Sequence, residues 1–190
     1  ALTTGACNIA LGENALGAST TGVYNIALGE TALGGADTTG YDNVAIGQNS
    51  MDALTTGFYN IALGKHALGA STTGCQNIAM GHLALGAAVT TGIDNIALGT
   101  TAMDALTTGI CNVAIGTNAL GASTTGCYNV AIGELAMGAA DVTGCLNIAI
   151  GRYAAGALTS GQRNIALGWQ AFGGGSTGCL NVAIGDLALG

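Results

Sequence analysis

The stretch TTGVYNIALGETALG, residues 20–34, recurs with small changes until the chain ends, and this recurrence restricts the fold more than any local motif. Internal repeats of fixed period are the signature of solenoids and related arrays. Aligned on the Asn that precedes the apolar tetrad there are eleven copies, at Asn8, Asn25, Asn43, Asn60, Asn77, Asn95, Asn112, Asn129, Asn147, Asn164 and Asn181. The intervals run 17, 18, 17 three times over and close on 17, so three short repeats form a larger unit of 52 residues. The link text confirms the larger period: DALTTG at Asp52 returns at Asp104, and as GALTSG at Gly156. Either a three-coil block was duplicated or the structure itself has a three-coil period.

Within a repeat, NIALG alternates Ile26 and Leu28 with Ala27 and Gly29, and TALG alternates Leu33 with Ala32 and Gly34. Alternation of period two predicts strands, and a glycine every few residues argues against helix, at about 1 kcal/mol each relative to Ala. Two short strands and two glycine corners in 17 or 18 residues make one coil of a narrow parallel β-solenoid. The fold class is therefore all-β, a parallel β-solenoid or β-roll of about eleven coils, each with two short strands. Stacked at about 4.8 Å, eleven coils span roughly 50 Å. Equivalent residues then form columns. The Ile/Val column after Asn and the Leu/Ile/Met column two residues on are read as the interior. The Asn column suits a corner where side-chain amides bond the coils above and below, or one where Asn merely tolerates a turn.

The other strand face carries an unbroken column of Ala10, Ala27, Ala45, Ala62, Ala79, Ala97, Ala114, Ala131, Ala149, Ala166 and Ala183. A strand facing water on one side shows polar residues there, so this column is read as a self-association seam with further copies of the chain, under cyclic symmetry. If Ala instead faces inward and Ile/Leu outward, the case for a partner is stronger. Composition points the same way: 7% of the 190 residues are charged and 49% are hydrophobic, against about 25% charged in an ordinary soluble domain. A membrane span is not expected, because Gly, Asn or Thr interrupts each apolar run well short of the ~20 residues that a spanning helix needs. The chain reads as one repeat domain, 1–190, a segment of a longer fibre protein without visible caps.

NIALGxxALG with a preceding TTG resembles the NxAxG head repeats of trimeric autotransporter adhesins, and more closely the TGxxNTAxGxxAL repeats of bacteriophage tail fibres and related surface fibres. The similarity covers every repeat; this chain has Ile or Val where the fibre repeats show Thr after Asn, and has scattered Cys. The resemblance implies a left-handed β-roll, a homotrimer, and an extracellular, cell-surface or virion setting.

Chemistry-bearing residues are few. Glu13, Glu30, Lys65, His66, His82, Glu134, Arg152 and Asp186 follow the second Gly, and Asp42, Asp94 and Arg163 precede Asn. No carboxylate pair recurs, no nucleophile stands with a base, and no phosphate-cradling loop opens a helix, so no enzymatic role, cofactor or metal is expected. Three basic residues against ten acidic ones disfavour nucleic acid. Cys7, Cys111, Cys75, Cys127, Cys145 and Cys179 fall one or two residues before the ladder Asn; they read as small apolar side chains, with a Cys127–Cys145 or interchain bond left open. Thr4, Thr21, Thr39, Thr56, Thr73, Thr91, Thr108, Thr125, Thr143 and Thr177, with Ser160, form a hydroxyl file that is the candidate ice or glycan face. Adjacent Thr-Thr points its side chains to opposite sides, which leaves one flat row. Trp169 and Tyr153 are aromatics of the exposed window, read first as solvated surface side chains and second as a glycan contact. The function expected is a stiff, self-associating shaft of an extracellular or viral fibre or filament, with a cell-surface glycan as a partner at a tip; the alternative is an ice-binding solenoid using the Thr file.

Overall fold

A computed structural model describes residues 3–190; Ala1 and Leu2 of the repeat domain lie outside the described residues. The chain is a parallel β-solenoid with one strand per repeat: β1 (Ile9–Leu11), β2 (Ile26–Leu28), β3 (Val44–Ile46), β4 (Ile61–Leu63), β5 (Ile78–Met80), β6 (Ile96–Leu98), β7 (Val113–Ile115), β8 (Val130–Ile132), β9 (Ile148–Ile150), β10 (Ile165–Leu167) and β11 (Val182–Ile184). They stack in chain order into one eleven-stranded sheet. Register is strict, with Ile26 facing Val44, Ala27 facing Ala45 and Leu28 facing Ile46, and so on through the stack.

The second strand expected in each repeat is not formed. In its place the TALG segment runs as tight turns: Ala32 N–H donates to Gly29 O at 3.3 Å and Gly34 N–H to Thr31 O at 3.1 Å. The period-two text there encodes alternation in the sign of φ rather than of side-chain direction. Thr31 and Leu33 are left-handed at 55° and 50°, so Ala32 and Leu33 both point inward and are fully buried. The odd residues bond outward along the axis, Thr31 N–H to Glu13 O at 2.8 Å and Leu33 N–H to Ser50 O at 3.0 Å. Each coil is thus tied to both neighbours through the turn side as well as through the sheet.

The interior is also the reverse of the expected one. Asn25 side chain points in, and alternation along the strand then sends Ile26 out, Ala27 in and Leu28 out. Ala27, Ala45, Ala62 and their successors to Ala166 are wholly buried, and Ala183 is 2% exposed; Ala10 alone in the column is exposed, in the first coil. The Ala column is therefore core, not an intermolecular seam. The physical reason is thickness: the strand faces the turn segment across a coil that already holds Leu33, Met51, Leu68 or Leu85, and only a small side chain fits opposite. Closeness is equally tight between coils at the strand's end, where Gly29 has a φ of 133° and an added Cβ would lie 2.8 Å from the Gly47 carbonyl.

The Asn column runs through this core as a continuous ladder. Each Asn Oδ1 accepts the backbone N–H of the next Asn, as in Asn43 N–H to Asn25 Oδ1 and Asn60 N–H to Asn43 Oδ1, both 3.0 Å. From Asn8 to Asn164 each Nδ2 donates to the corner-glycine carbonyl of the following coil, as in Asn25 to Gly40 and Asn43 to Gly57, both 2.9 Å. No buried side-chain polar atom lacks a partner among the described residues.

The 52-residue period has its own interior column at the link corner: Ser19, Thr38, Leu54, then Ser71, Thr90, Leu106, then Ser123, Val142, Leu158, all at most 1% exposed. The extra residue of each 18-residue interval turns the first residue of the T-T-G or V-T-G triplet inward, so Thr38, Thr90 and Val142 are buried where Thr20, Thr55 and Thr72 are half-exposed. Ser19 Oγ donates to Thr38 O at 2.7 Å and Thr38 Oγ1 to Leu54 O at 2.8 Å, and Ser71 and Thr90 repeat the relay at 3.0 and 2.9 Å. Asp37 and Asp141, in the longer links, accept from the backbone and hydroxyl of Thr20 and Thr124. The large unit is a structural period of the core.

Asn95 tests the ladder. It donates to Gly109 O at 2.9 Å and accepts from the amide N–H and Nδ2 of Asn112, both at 3.0 Å. Replacing Asn95 by Ala leaves a buried donor and a buried acceptor unmatched, a cost of about 2–4 kcal/mol. Thermal unfolding followed by circular dichroism is expected to fall by roughly 5–15 °C, with a smaller fall for Asn8→Ala in the half-buried first coil.

Candidate interaction surfaces

With Asn and Ala inward, the outer surface divides into three regions. On the sheet side, each strand presents its first and third residues. Ile9, Ile26, Val44, Ile61, Ile78, Ile96, Val113, Val130, Ile148, Ile165 and Val182 form one file, and Leu11, Leu28, Ile46, Leu63, Met80, Leu98, Ile115, Ile132, Ile150, Leu167 and Ile184 the other. Each is screened in part by its neighbours along the axis, yet Met80 remains 43% and Ile115 37% exposed in mid-stack. This aliphatic face is the region that the expected inward assignment of Ile and Leu concealed. The clue available in the sequence is the strict Asn-x-Ala spacing: a ladder Asn that points inward forces the intervening Ile outward.

At the corner before Asn lies the hydroxyl file. Thr4, Thr21, Thr39, Thr56, Thr73, Thr91, Thr108, Thr125, Thr143, Ser160 and Thr177 are all exposed. They make a single row; the column two residues on holds Val23, Tyr41, Phe58, Cys75 and Ile93 rather than a second row of Thr. Within the row Thr39 Oγ1 reaches Thr55 O at 3.3 Å and Thr91 Oγ1 reaches Thr107 O at 3.4 Å. Next to it Tyr41 and Phe58 stack with centroids 5.1 Å apart and planes 2° from parallel, while Tyr59 meets both edge-on at 5.5 Å. This aromatic corner follows from the columns, since residues one interval apart in sequence become axial neighbours.

The third region is the variable window after the strand. Gln48 Nε2 donates to Glu30 at 2.8 Å, and Arg152 bridges to Glu134 at 3.0 Å while lying 4.9 Å from the Tyr153 ring centre. Half-exposed pairs of this kind contribute about 0–1 kcal/mol. His66 and His82 face edge to plane with centroids 6.5 Å apart. Trp169 is 44% exposed. An open trough of about 550 Å³ follows the third long link, lined by Ala139, Tyr153, Gly156, Gln170 and Leu187 among others. The structure does not bring Trp169 and Tyr153 together with it, since only Tyr153 lines the trough.

The six thiols are free. Cys127 and Cys145 are in-register neighbours across one coil step, and burial, with Cys127 beside it, pushes the Cys145 thiol up. Cys75 and Cys127 donate to the carbonyls of Thr73 and Thr125, each at 3.3 Å. No group of three or more His, Cys, Asp or Glu side chains among the described residues is arranged to hold a metal ion. No helix among them is long and apolar enough to cross a membrane.

Comparison with protein-family models, with curated proteins and with solved structures found no match to this chain.

Two link carboxylates supply a pH signature. Burial pushes Asp52 and Asp104, equivalent positions in the 52-residue unit, above the ordinary carboxylate value. The folded chain then holds protons that the unfolded chain releases, so this contribution to stability is present at low pH and is lost as pH rises from about 4 through the folded pKa. The Asp52→Asn/Asp104→Asn double variant is expected to melt about 1–3 °C higher than the parent at pH 7 and at the same temperature at pH 3. Melting curves at the two pH values check it.

Proposed function

We propose that the chain is a structural shaft, a stiff β-solenoid segment of an extracellular or viral fibre or filament that carries an adhesive appendage away from its base. The observation that supports it best is the unbroken internal wiring. The Asn ladder and the turn-side hydrogen bonds continue from coil to coil through the described residues, and the buried Ala column runs with them from Ala27 to Ala183. Ten coil steps of about 4.8 Å give a rod near 50 Å long, held along its axis by backbone bonds at every step. The resemblance to fibre repeats agrees with this reading, and with a trimer outside the cell or on a virion, where a glycan at a tip would be the partner.

The exposed Thr row favours a second reading, ice binding. A regular hydroxyl row at coil spacing is present, but it is single, and aromatic, aliphatic and thiol side chains occupy the neighbouring column.

Light scattering and negative-stain microscopy on one preparation separate the two. Uniform rods or filaments containing several chains are the expected result. A lone 18.3 kDa particle that also slows ice growth would replace the fibre reading with the second one.

A further inference from the structure

The aliphatic sheet face sets a physical problem that the shaft alone does not solve. Two outward positions in each of eleven strands make 22 side chains, and every one is Ile, Val, Leu or Met. No charged or hydrogen-bonding side chain interrupts either file. In the same strands the small residue Ala fills the core while the large residues face out. A strip ten coil steps long and three residues wide covers roughly 480 Å² in projection. This is the scale of the largest apolar patch on an ordinary monomer, which is often functional.

We propose that this face is covered by the same face of a second copy of the chain, sheet against sheet. This rests on the shaft reading and sets a face-to-face pair of chains in place of its trimer. Spacing is the first argument. Side chains along each file repeat at the coil step of about 4.8 Å, so the surface that can seat a knob between each pair of knobs over the whole length is one with the same step. Another solenoid of this sequence has it. Area is the second. Two strips present roughly 960 Å² in projection, and corrugation by the side chains carries the accessible area past the ~1,000 Å² that a specific interface needs. Charge is the third. The chain carries a formal charge of −7, and its ionisable groups stand in the window, corner and link columns, where they can remain solvated while the files are covered. A membrane surface fits poorly: exposed Tyr and Trp side chains border the face, but three basic residues against ten acidic ones give it no Lys/Arg rim for a lipid headgroup layer.

Outward placement makes the test clean, because these side chains can be changed without entering the core. Ile96→Glu/Leu98→Glu puts two carboxylates at the centre of the face in each copy, and Thr91→Glu puts one on the hydroxyl row of the same coil. Light scattering after gel filtration is expected to show a multi-chain mass for the parent and for Thr91→Glu. The double variant should fall to 18.3 kDa with an unchanged circular dichroism spectrum, its dissociation constant raised at least ~100-fold by burying unpaired charge. A photoreactive side chain at position 98 should give a chain-to-chain product and one at position 91 none, which settles the face independently of how the double variant folds. A double variant that remains assembled, with no crosslink from position 98, would overturn the face assignment and leave the shaft reading standing. A parent that is a monomer at every concentration would overturn the pairing and the several-chain shaft together. Binding of the monomer to phosphatidylcholine vesicles through position 98 would replace the second copy with lipid.

Discussion

Everything in this molecule follows from a side-chain amide placed between two coils. An inward Asn must satisfy both its oxygen and its nitrogen away from water, since a buried polar group without a partner costs more than a bond contributes. Stacking Asn on Asn does this with no outside help: the oxygen takes the next coil's amide N–H and the nitrogen reaches the next glycine carbonyl. That arrangement fixes which way the strand's first residue points. It therefore decides that Ala is core and that Ile and Leu are surface.

The solenoid itself was legible because its evidence is periodic and survives ignorance of geometry. Eleven aligned Asn, two interval lengths and the lack of helical spacing lead to stacked parallel coils. Orientation was not legible by the same route. Ile26 and Leu28 are more hydrophobic than Ala27, and a rule that puts the larger apolar residues inside assigns the strand backwards. Space decides instead: a coil one strand thick, already holding Leu33 or Met51 from its turn side, has room for Ala alone.

The turn segment misled for a related reason. TALG reads as a strand because apolar and small residues alternate, yet the alternation serves backbone handedness. Each coil places three non-glycine residues in the left-handed region, as Tyr24, Thr31 and Leu33 do in the second. Such conformations are uncommon for ordinary side chains and are sustained because the axial hydrogen bonds at Thr31 and Leu33 leave no other path for the chain. The exposed hydroxyl row, by contrast, was readable from sequence, since a residue beside a corner glycine has little choice but to face out.

The one longer interval in every three has a meaning for how such a protein changes length over generations. Ser, Thr or Val, and Leu take turns in the link-corner column, with the longer coil admitting the second of them. Removing one coil from the middle would set this rotation out of phase and bring unlike neighbours together. Removing or duplicating 52 residues preserves the order of the link-corner column along with the Asn and Ala columns, because each coil touches only the coils beside it. Lineages of this rod are thus free to grow or shrink in quanta of three coils, about 14 Å at a time.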